Sequence, residues 1–288
     1  MKYTITADST CDLPQGYVPE DELPIIPLSY TLDGKTYSGR DGDSLPPEEF
    51  YAKMRAGAMP QTALVNVAEA EHFFDGVVSS GSDVLHLCFS SALSGTFNST
   101  RVAAQAINEK YGRTCVTVVD TLCASLGDGL LIHYAFEQKR AGKSLEETRD
   151  WLEQNKLHLC HNFTVSDLFH LHRGGRVSMT AAIVGTMLGI KPVLHVDNEG
   201  RLIPIGKVRG RPQSLTALVD NMERQVVNFD NKVVFISHGD CLADAEYVAK
   251  LVQERFSPVE IIMNFIGPVI GTHSGPDTVA LFFMGETR

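Results

Sequence analysis

The sequence predicts an α/β fold of two α/β domains, an N-terminal doubly wound parallel sheet and a C-terminal domain with a mixed α+β sheet. The chain has 288 residues, which suits one large domain or two of ordinary size. Short apolar runs alternate with helical patterns through the first half, as a parallel sheet requires. In the second half, Asp197-Asn198-Glu199-Gly200 lies between two apolar runs and predicts an antiparallel hairpin.

The first half begins with a strand and continues in strand–helix units. Tyr3–Asp8 is the first predicted strand, and Leu23–Tyr37 predicts a strand, a turn at Asp33-Gly34 and a return strand. Pro47 and the acids after it are typical of a helix start. The following elements are a helix over Val67–Val78, a strand over Val84–Phe89, a helix over Leu93–Tyr111, a strand over Thr114–Asp120, a helix over Leu126–Arg140 and a helix that begins with a capping box at Ser144.

The pattern changes past about Leu159, where short extended runs and helices mix. The predicted elements are an extended run over Phe163–Val165, a helix ending at Gly174-Gly175, a short helix over Thr180–Leu188, hairpin strands over Lys191–Val196 and Leu202–Val208, a helix over Ser214–Val227, a strand over Val233–Ser237, a helix over Ala243–Phe256, a strand over Glu260–Phe265, a glycine-rich loop over Gly267–Gly275 and a last strand over Val279–Met284. We therefore predict domains at residues 1–159 and 160–288.

Composition excludes several classes of function. The net charge is −10 and the sequence has no run of Lys and Arg, so it lacks the concentrated positive charge that nucleic-acid binding needs. The six cysteines form no CxxC pair and several lie in apolar runs, which indicates buried thiols in a reducing compartment. The longest mostly apolar stretch, Ala181 to Ile190, is half the length of a membrane span, and the N-terminus has no signal-peptide core. We expect a cytoplasmic protein with no membrane span.

The segment from Ser90 to Thr100 is the most informative. It follows an apolar strand, opens a helix and carries six hydroxyl side chains, including Ser94 and Thr96 on either side of Gly95. Free backbone N–H groups at a helix start attract anions, and one N-cap needs only one hydroxyl. The pattern favours an anion site at the carboxyl edge of the sheet.

Two further segments carry candidate residues. His273 lies within the glycine-rich loop, and loops on rigid strands often carry binding groups. Arg173-Gly174-Gly175-Arg176 supplies two arginines in an acidic protein, suited to a carboxylate, a phosphate or an acidic partner. A second small basic cluster comprises Lys207, Arg209 and Arg211, for which a solvated face is the simpler interpretation.

Other chemistries are weakly supported. The sequence has no phosphate-binding GxxxxGK[ST], no GxGxxG after the first strand and no HExxH, so neither a nucleotide cofactor nor a metal site is predicted. A serine esterase using Ser94 and His273 is an alternative. The glycines of a nucleophile elbow are, however, replaced by Ala92 and Thr96. A small-anion binder with a polar cavity is a third hypothesis.

These motifs together resemble the DegV family of bacterial fatty-acid-binding proteins. The resemblance runs almost end to end. It is carried by Asp8-Ser9-Thr10 with Asp12-Leu13, Ser91-Ala92-Leu93-Ser94-Gly95-Thr96, Asp120 with Ser125 and Gly127, Arg173-Gly174-Gly175-Arg176-Val177-Ser178, Gly189-Ile190-Lys191-Pro192, Lys207-Val208-Arg209 and Gly267-Pro268 through Gly275-Pro276.

The resemblance implies a lipid carrier and not an enzyme. It implies a long-chain fatty acid in a tunnel between the two domains, its carboxylate held by Thr62, Ser94 and a suitably protonated His273, with Gly95 and Thr96 beside it. It also implies a separate ATP-using kinase subunit, resembling dihydroxyacetone kinases, that phosphorylates the bound acid. Arg173 and Arg209 are the residues that we expect to face that partner or its phosphate, and no cofactor is expected on this chain.

Two departures from the family pattern affect the expected site. Thr62 is followed by Ala63-Leu64-Val65 where the family usually has Ser-Gln-Pro. Asp277 replaces a glycine after the late loop, and a carboxylate close to a bound carboxylate would be unfavourable unless it points away.

Overall fold

A computed structural model describes residues 2–19, 21–38, 43–166, 168–178, 189–226 and 231–288. The predicted short helix over Thr180–Leu188 lies outside these residues. Within them, three sheets and their helices account for the secondary structure.

The first half contains a parallel sheet covered by helices on both faces. The described strands of the first half are β1 (Tyr3–Asp8), β2 (Ile25–Ile26), β3 (Ser29–Leu32), β4 (Lys35–Tyr37), β5 (Gln61–Ala63), β6 (Asp83–Cys88) and β7 (Val116–Asp120). Four of them form the parallel sheet in the order β2-β1-β6-β7, and β4-β3-β5 form a small antiparallel sheet. The turn at Asp33-Gly34 has positive φ at both residues, as a tight hairpin between β3 and β4 requires.

The helices of the first half match the predicted ones closely. They are α1 (Pro47–Arg55), α2 (Val67–Ser79), α3 (Thr96–Tyr111), α4 (Leu126–Arg140) and α5 (Leu145–Asn155). The capping box at Ser144 is present in both directions with Glu147. Val84 and Cys88 of β6 pack on α2 and α3, whereas Leu85 and Leu87 pack on α4, because successive strand residues face opposite sides.

The second half contains a six-stranded mixed sheet. Its strands are β8 (Leu159–Thr164), β9 (Ile190–Val196), β10 (Leu202–Arg209), β11 (Val233–His238), β12 (Glu260–Phe265) and β13 (Val279–Met284), in the order β10-β9-β8-β13-β11-β12. Only the β11–β12 pair is parallel. The helices are α6 (Phe169–Arg173), α7 (Arg211–Gln225), α8 (Leu242–Phe256) and α9 (Pro268–Ser274). A parallel sheet and a separate mixed sheet confirm the predicted fold class.

Helix α4 joins the two halves. It contacts strands β1 and β6 of the parallel sheet and β8, β11 and β13 of the mixed sheet. One apolar cluster accordingly extends from Leu87 through Leu130 of α4 to Phe282 of the mixed sheet. The first strand of the mixed sheet begins at Leu159. The boundary between residues 159 and 160 stays a prediction.

One predicted loop is wrong. Residues 268–274, expected to be a glycine-rich loop, form helix α9, with Pro268 in its first turn. Gly271 within it lies against the Tyr51 ring, where a Cβ would overlap the hydroxyl group. Glycine therefore serves close packing here and does not interrupt the helix.

Two other sequence expectations concern the cysteines and the membrane. All six cysteines are free thiols, five of them buried. Among the helices of the described ranges, none has the length and apolar character that a bilayer crossing demands.

Candidate functional site

The loop between β6 and α3 brings Ser94 to the carboxyl end of the parallel sheet. The Ser94 hydroxyl lies 3.0 Å from Thr96 Oγ1 and accepts a hydrogen bond from the Thr96 N–H at 3.2 Å. Thr96 itself is fully buried. A Cβ at Gly95 would stand 3.1 Å from Leu64 Cδ2, so a larger residue would crowd this loop. Ser94 therefore sits at the positive end of the 16-residue helix α3.

Thr62 and His273 form a hydrogen-bonded pair although they are 211 residues apart. Thr62 lies on β5, where it pairs with Tyr30 of β3. Its hydroxyl is 2.9 Å from Nε2 of His273, which lies in the last turn of α9. The other ring nitrogen, Nδ1, is buried and has no hydrogen-bond partner within the part of the chain that the structure describes. That nitrogen lies against Gly174, where a Cβ would overlap it.

His273 is neutral in this environment. Burial, reinforced by the positive charges of Arg176 and Arg173, lowers the pKa of His273 to about 4. A charged imidazolium would lie in a poorly solvated position beside two cations, so the suitably protonated His273 of the prediction corresponds here to a neutral ring. A neutral ring offers one N–H donor and one acceptor nitrogen.

The arginines occupy different places around this pair. Arg176 lines the cavity described below; its Nε donates to the Leu93 carbonyl at 3.1 Å, and Nη1 donates to the Gly174 carbonyl. Arg173 is exposed and donates at 3.2 Å to the carbonyls of Pro60 and Thr272, which flank the Thr62–His273 pair. Arg209 is exposed at the end of β10 and is not among the described residues that line the cavity. Arg173 and Arg176 thus lie beside the site, whereas Arg209 does not line it.

A largely apolar cavity, here called the central cavity, extends inward from these residues between the two halves. The centre of a water-sized sphere can reach about 200 Å³ of it. A single water needs only about 10–15 Å³ by that measure, so the space is far larger than a packing defect. Its apolar wall includes Leu28, Leu64, Phe89, Leu93, Phe163, Leu171, Val196, Leu202, Ile266, Val269, Ile270, Ala280 and Phe282. Its polar wall comprises Thr62, Ser94, Ser125, His161, Arg176, Ser237, His273, Ser274 and Thr278.

The two departures from the family pattern have structural outcomes. Leu64 is half-exposed and lines the mouth of the central cavity, in contact range of Gly95. Asp277 points away from the cavity: one oxygen accepts from Arg55 at 2.7 Å and the other from Ser166 at 3.3 Å. An ion pair with Arg55 therefore removes the repulsion that Asp277 would otherwise exert on an anion.

Asp12 is a structural residue of the site that local reasoning from the sequence missed. Its carboxylate accepts from the Ser125 hydroxyl at 2.6 Å, at the start of α4, and from the backbone N–H of Gly267, at the start of α9. Burial raises the pKa of Asp12 to about 7. The sequence signals were its place in the turn after β1 and its place in the family motif Asp8-Ser9-Thr10 with Asp12-Leu13, and neither assigned it a role. The contact fixes the helix that carries His273 against the first half of the chain.

One trio of buried side chains has ligand-like spacing. Asp8, His86 and Cys88 place one atom each within 4.8 Å of the others. The Asp8 oxygens accept from the N–H groups of Thr10 and Phe89, and His86 Nδ1 bonds to Thr6. Hydrogen bonding within the fold accounts for much of this cluster, which is separate from the central cavity.

Comparison with known proteins identifies the family. The family model described as an uncharacterised protein of the DegV family matches residues 2–286. A DegV domain-containing protein of Clostridium perfringens is 42% identical over 287 residues, which cover 100% of this chain and 99% of the relative. This chain therefore belongs to the DegV family.

Solved structures agree in fold. A DegV family protein from Thermus thermophilus, described by its fatty acid binding, has 32% identity and a TM-score of 0.86, with 99% of this chain and 100% of that chain covered. A stearic acid-binding protein from Eubacterium ventriosum has 26% identity and a TM-score of 0.88, with 99% and 98% covered. Both descriptions name fatty-acid binding, the class of ligand that the resemblance implied.

Proposed function

We propose that this protein binds a long-chain fatty acid with its tail in the central cavity and its carboxylate at Thr62, Ser94 and His273. The observation that carries the proposal is that these three side chains all line one largely apolar cavity. The fatty-acid binding described for structural relatives of the same fold supports it further.

The tail supplies most of the binding free energy in this proposal. Burying a CH₂ group contributes about 0.8 kcal/mol, so a 16-carbon chain gains roughly 12 kcal/mol before the costs of association. The cavity wall suits this role because both halves of the chain contribute aliphatic and aromatic side chains to it. A chain enclosed between two sheets is also shielded from water.

The carboxylate needs hydrogen-bond donors because an ionised group is costly to bury unpaired. The Ser94 hydroxyl can donate one hydrogen bond, and the Thr62–His273 pair can donate one more. That donor is Nδ1 when the Thr62 hydroxyl donates to Nε2, or the Thr62 hydroxyl when Nε2 carries the proton and donates to it. The N-terminus of α3 and the nearby Arg176 guanidinium add positive potential. Arg176 supplies the charge that a neutral His273 does not.

We further propose that the bound acid is presented to a separate ATP-dependent kinase subunit, which forms the acyl phosphate. Arg173 is exposed beside the Thr62–His273 pair, so it can meet an acidic partner or steady phosphoryl charge. Arg209 is exposed on β10 and is proposed for the same interface. This role requires a protein of the cytoplasm that has no membrane span or nucleic-acid partner and binds no nucleotide cofactor of its own.

The two alternative functions find less support in the geometry. A serine esterase needs Ser94 bonded to its base, yet among the described contacts Ser94 bonds to Thr96 and His273 bonds to Thr62. A small-anion binder would need a mainly polar cavity, and most of this wall is apolar.

Extraction of lipid from the purified, denatured protein tests the proposal. Mass spectrometry of the extract should recover a long-chain fatty acid at close to one per chain. An extract without fatty acid, from protein that also fails to take up added fatty acid, would refute it. A fluorophosphonate that labels wild-type protein but not the Ser94→Ala variant would instead support the esterase.

A further inference from the structure

A second histidine of the cavity wall has no well-formed hydrogen bond among the described residues. His161 lies on β8, is 2% exposed and lines the central cavity. Neither ring nitrogen makes a hydrogen bond of normal geometry to the part of the chain that the structure describes, and the Leu159 carbonyl interacts only weakly with the ring. Native proteins rarely leave a buried polar side chain unpaired, so each such group calls for an explanation. The carboxylate site proposed above does not use this residue.

The surroundings of His161 offer its two ring nitrogens no more than a weak hydrogen bond to the Leu159 carbonyl. The ring meets Phe282 edge-on, with ring centroids 5.3 Å apart, and its Nε2 lies against Gly127, where a Cβ would overlap it. Ser125 and Ser237 line the same cavity, but their hydroxyls lie 3.0 Å from each other and Ser125 also bonds to Asp12. These hydroxyl groups are therefore already satisfied.

His161 packs among other elements than the residues of the carboxylate site. It lies on β8 against Gly127 of α4 and Phe282 of β13, whereas Thr62 lies on β5, Ser94 precedes α3 and His273 lies on α9. The other unpartnered polar atoms of the described wall belong to His273 and Ser274, both on α9. A ligand that satisfies His161 while its carboxylate lies at Thr62 and Ser94 must carry a second polar group along its chain.

The protonation state defines which polar group fits. Burial holds the pKa of His161 well below its ordinary value, so the ring is neutral. A neutral imidazole has one donor and one acceptor nitrogen, and a hydroxyl group can pair with either. A plain methylene chain pairs with neither and leaves the ring unsatisfied.

We propose, resting on the proposed function, that His161 binds a hydroxyl group on the acyl chain. The protein then prefers a monohydroxylated long-chain fatty acid to the unsubstituted acid. The class of reaction that supplies such a ligand is the hydroxylation or hydration of a fatty acid.

Competition binding tests this inference. Delipidated full-length protein is loaded with radiolabelled octadecanoic acid, which is then displaced by unlabelled octadecanoic acid or by its monohydroxy positional isomers. We expect at least one isomer to bind about three- to tenfold more tightly than the parent acid, the gain of one hydrogen bond. The position of the hydroxyl in that isomer gives the distance from the carboxylate site to His161.

Variants assign the preference to the histidine. His161→Leu should remove the preference and leave octadecanoic acid bound as tightly as before or more tightly, whereas His161→Gln, which keeps a donor and an acceptor, should retain part of it. His72→Leu, an exposed histidine on α2, is the matched control and should behave as wild type. Circular dichroism verifies that each variant folds.

The outcomes separate this inference from the function on which it rests. If wild-type protein binds octadecanoic acid but no isomer more tightly, or if the preference survives in His161→Leu, the inference is wrong and the carrier function stands. If His161→Leu does not fold, His161→Gln is compared with wild type instead. A reduced preference for the hydroxylated acid in His161→Gln supports the inference, and an unchanged preference contradicts it. If no acid of either kind binds, both proposals fail.

Discussion

Replacement of Ser94 by alanine should weaken the binding of a fatty acid without unfolding the protein. The hydroxyl lies at the start of α3 and bonds within its own loop to Thr96. The change removes a small group from a half-exposed position, so the core is untouched. The effect on binding should therefore come from the lost contact with the carboxylate.

The magnitude follows from the kind of hydrogen bond that is lost. A hydrogen bond to a charged group contributes about 1.5–3 kcal/mol, which corresponds to roughly 10- to 150-fold in affinity. The tail contribution of roughly 12 kcal/mol is unchanged. The variant should thus still bind fatty acid, with a dissociation constant raised by one to two orders of magnitude.

A comparison of an acid with the alcohol of equal chain length isolates the contribution of the hydrogen bond between Ser94 and the carboxylate. Hexadecanoic acid should lose affinity on Ser94→Ala much more than hexadecanol does, since only the acid carries the charge. The matched control is Ser91→Ala, which changes an exposed serine of the same loop outside the cavity wall. It should alter neither the affinity for hexadecanoic acid nor the affinity for hexadecanol. Equal losses for acid and alcohol would refute the assignment of Ser94 to the carboxylate.

Three further predictions follow from the same site. Gly174→Ala should displace the His273 ring and weaken fatty-acid binding severalfold in a titration, whereas Gly76→Ala, in open space on α2, should bind normally and unfold at the same or a higher temperature. Asp12 is protonated in the folded state up to about pH 7 but ionises near pH 4 when unfolded, so wild type loses stability between these values as pH rises. Urea unfolding at pH 5 and pH 8 should therefore show Asp12→Asn gaining up to about 3 kcal/mol relative to wild type over that interval, and an equal difference at both pH values would contradict the raised pKa. Arg173→Ala should retain lipid but slow phosphorylation by a cognate kinase subunit, and unchanged turnover would remove Arg173 from that interface.

Local patterns predicted most of the secondary structure because the decisive signals are short-range. The strands at Glu260–Phe265 and Val279–Met284 and the helix at Leu126–Arg140 have the predicted bounds. By contrast, β5 has three residues and exists because Thr62 and its neighbours pair with β3. No pattern within three residues indicates such a strand. The helix over residues 268–274 was missed because Gly271, which packs against Tyr51, and the flanking Gly267 and Gly275 favoured a loop in the sequence.

The site was harder to predict than the fold. Ser94 was evident from the residues alone, because hydroxyls were concentrated where a strand precedes a helix. His273 was a candidate from its glycine-rich segment and Thr62 came from the family resemblance, whereas the hydrogen bond between them spans most of the chain and was not predicted. The neutral state of His273 depends on burial beside Arg173 and Arg176, which requires the tertiary structure. The same holds for the poorly paired ring of His161, which only the packed cavity reveals.

A crystal structure of the protein saturated with hexadecanoic acid tests the central claim most directly. Electron density for the tail should fill the cavity between the sheets, with carboxylate oxygens within hydrogen-bond distance of the side chains of Thr62, Ser94 and His273. A tail bound on the outer surface, or a carboxylate held by other residues, would contradict the account.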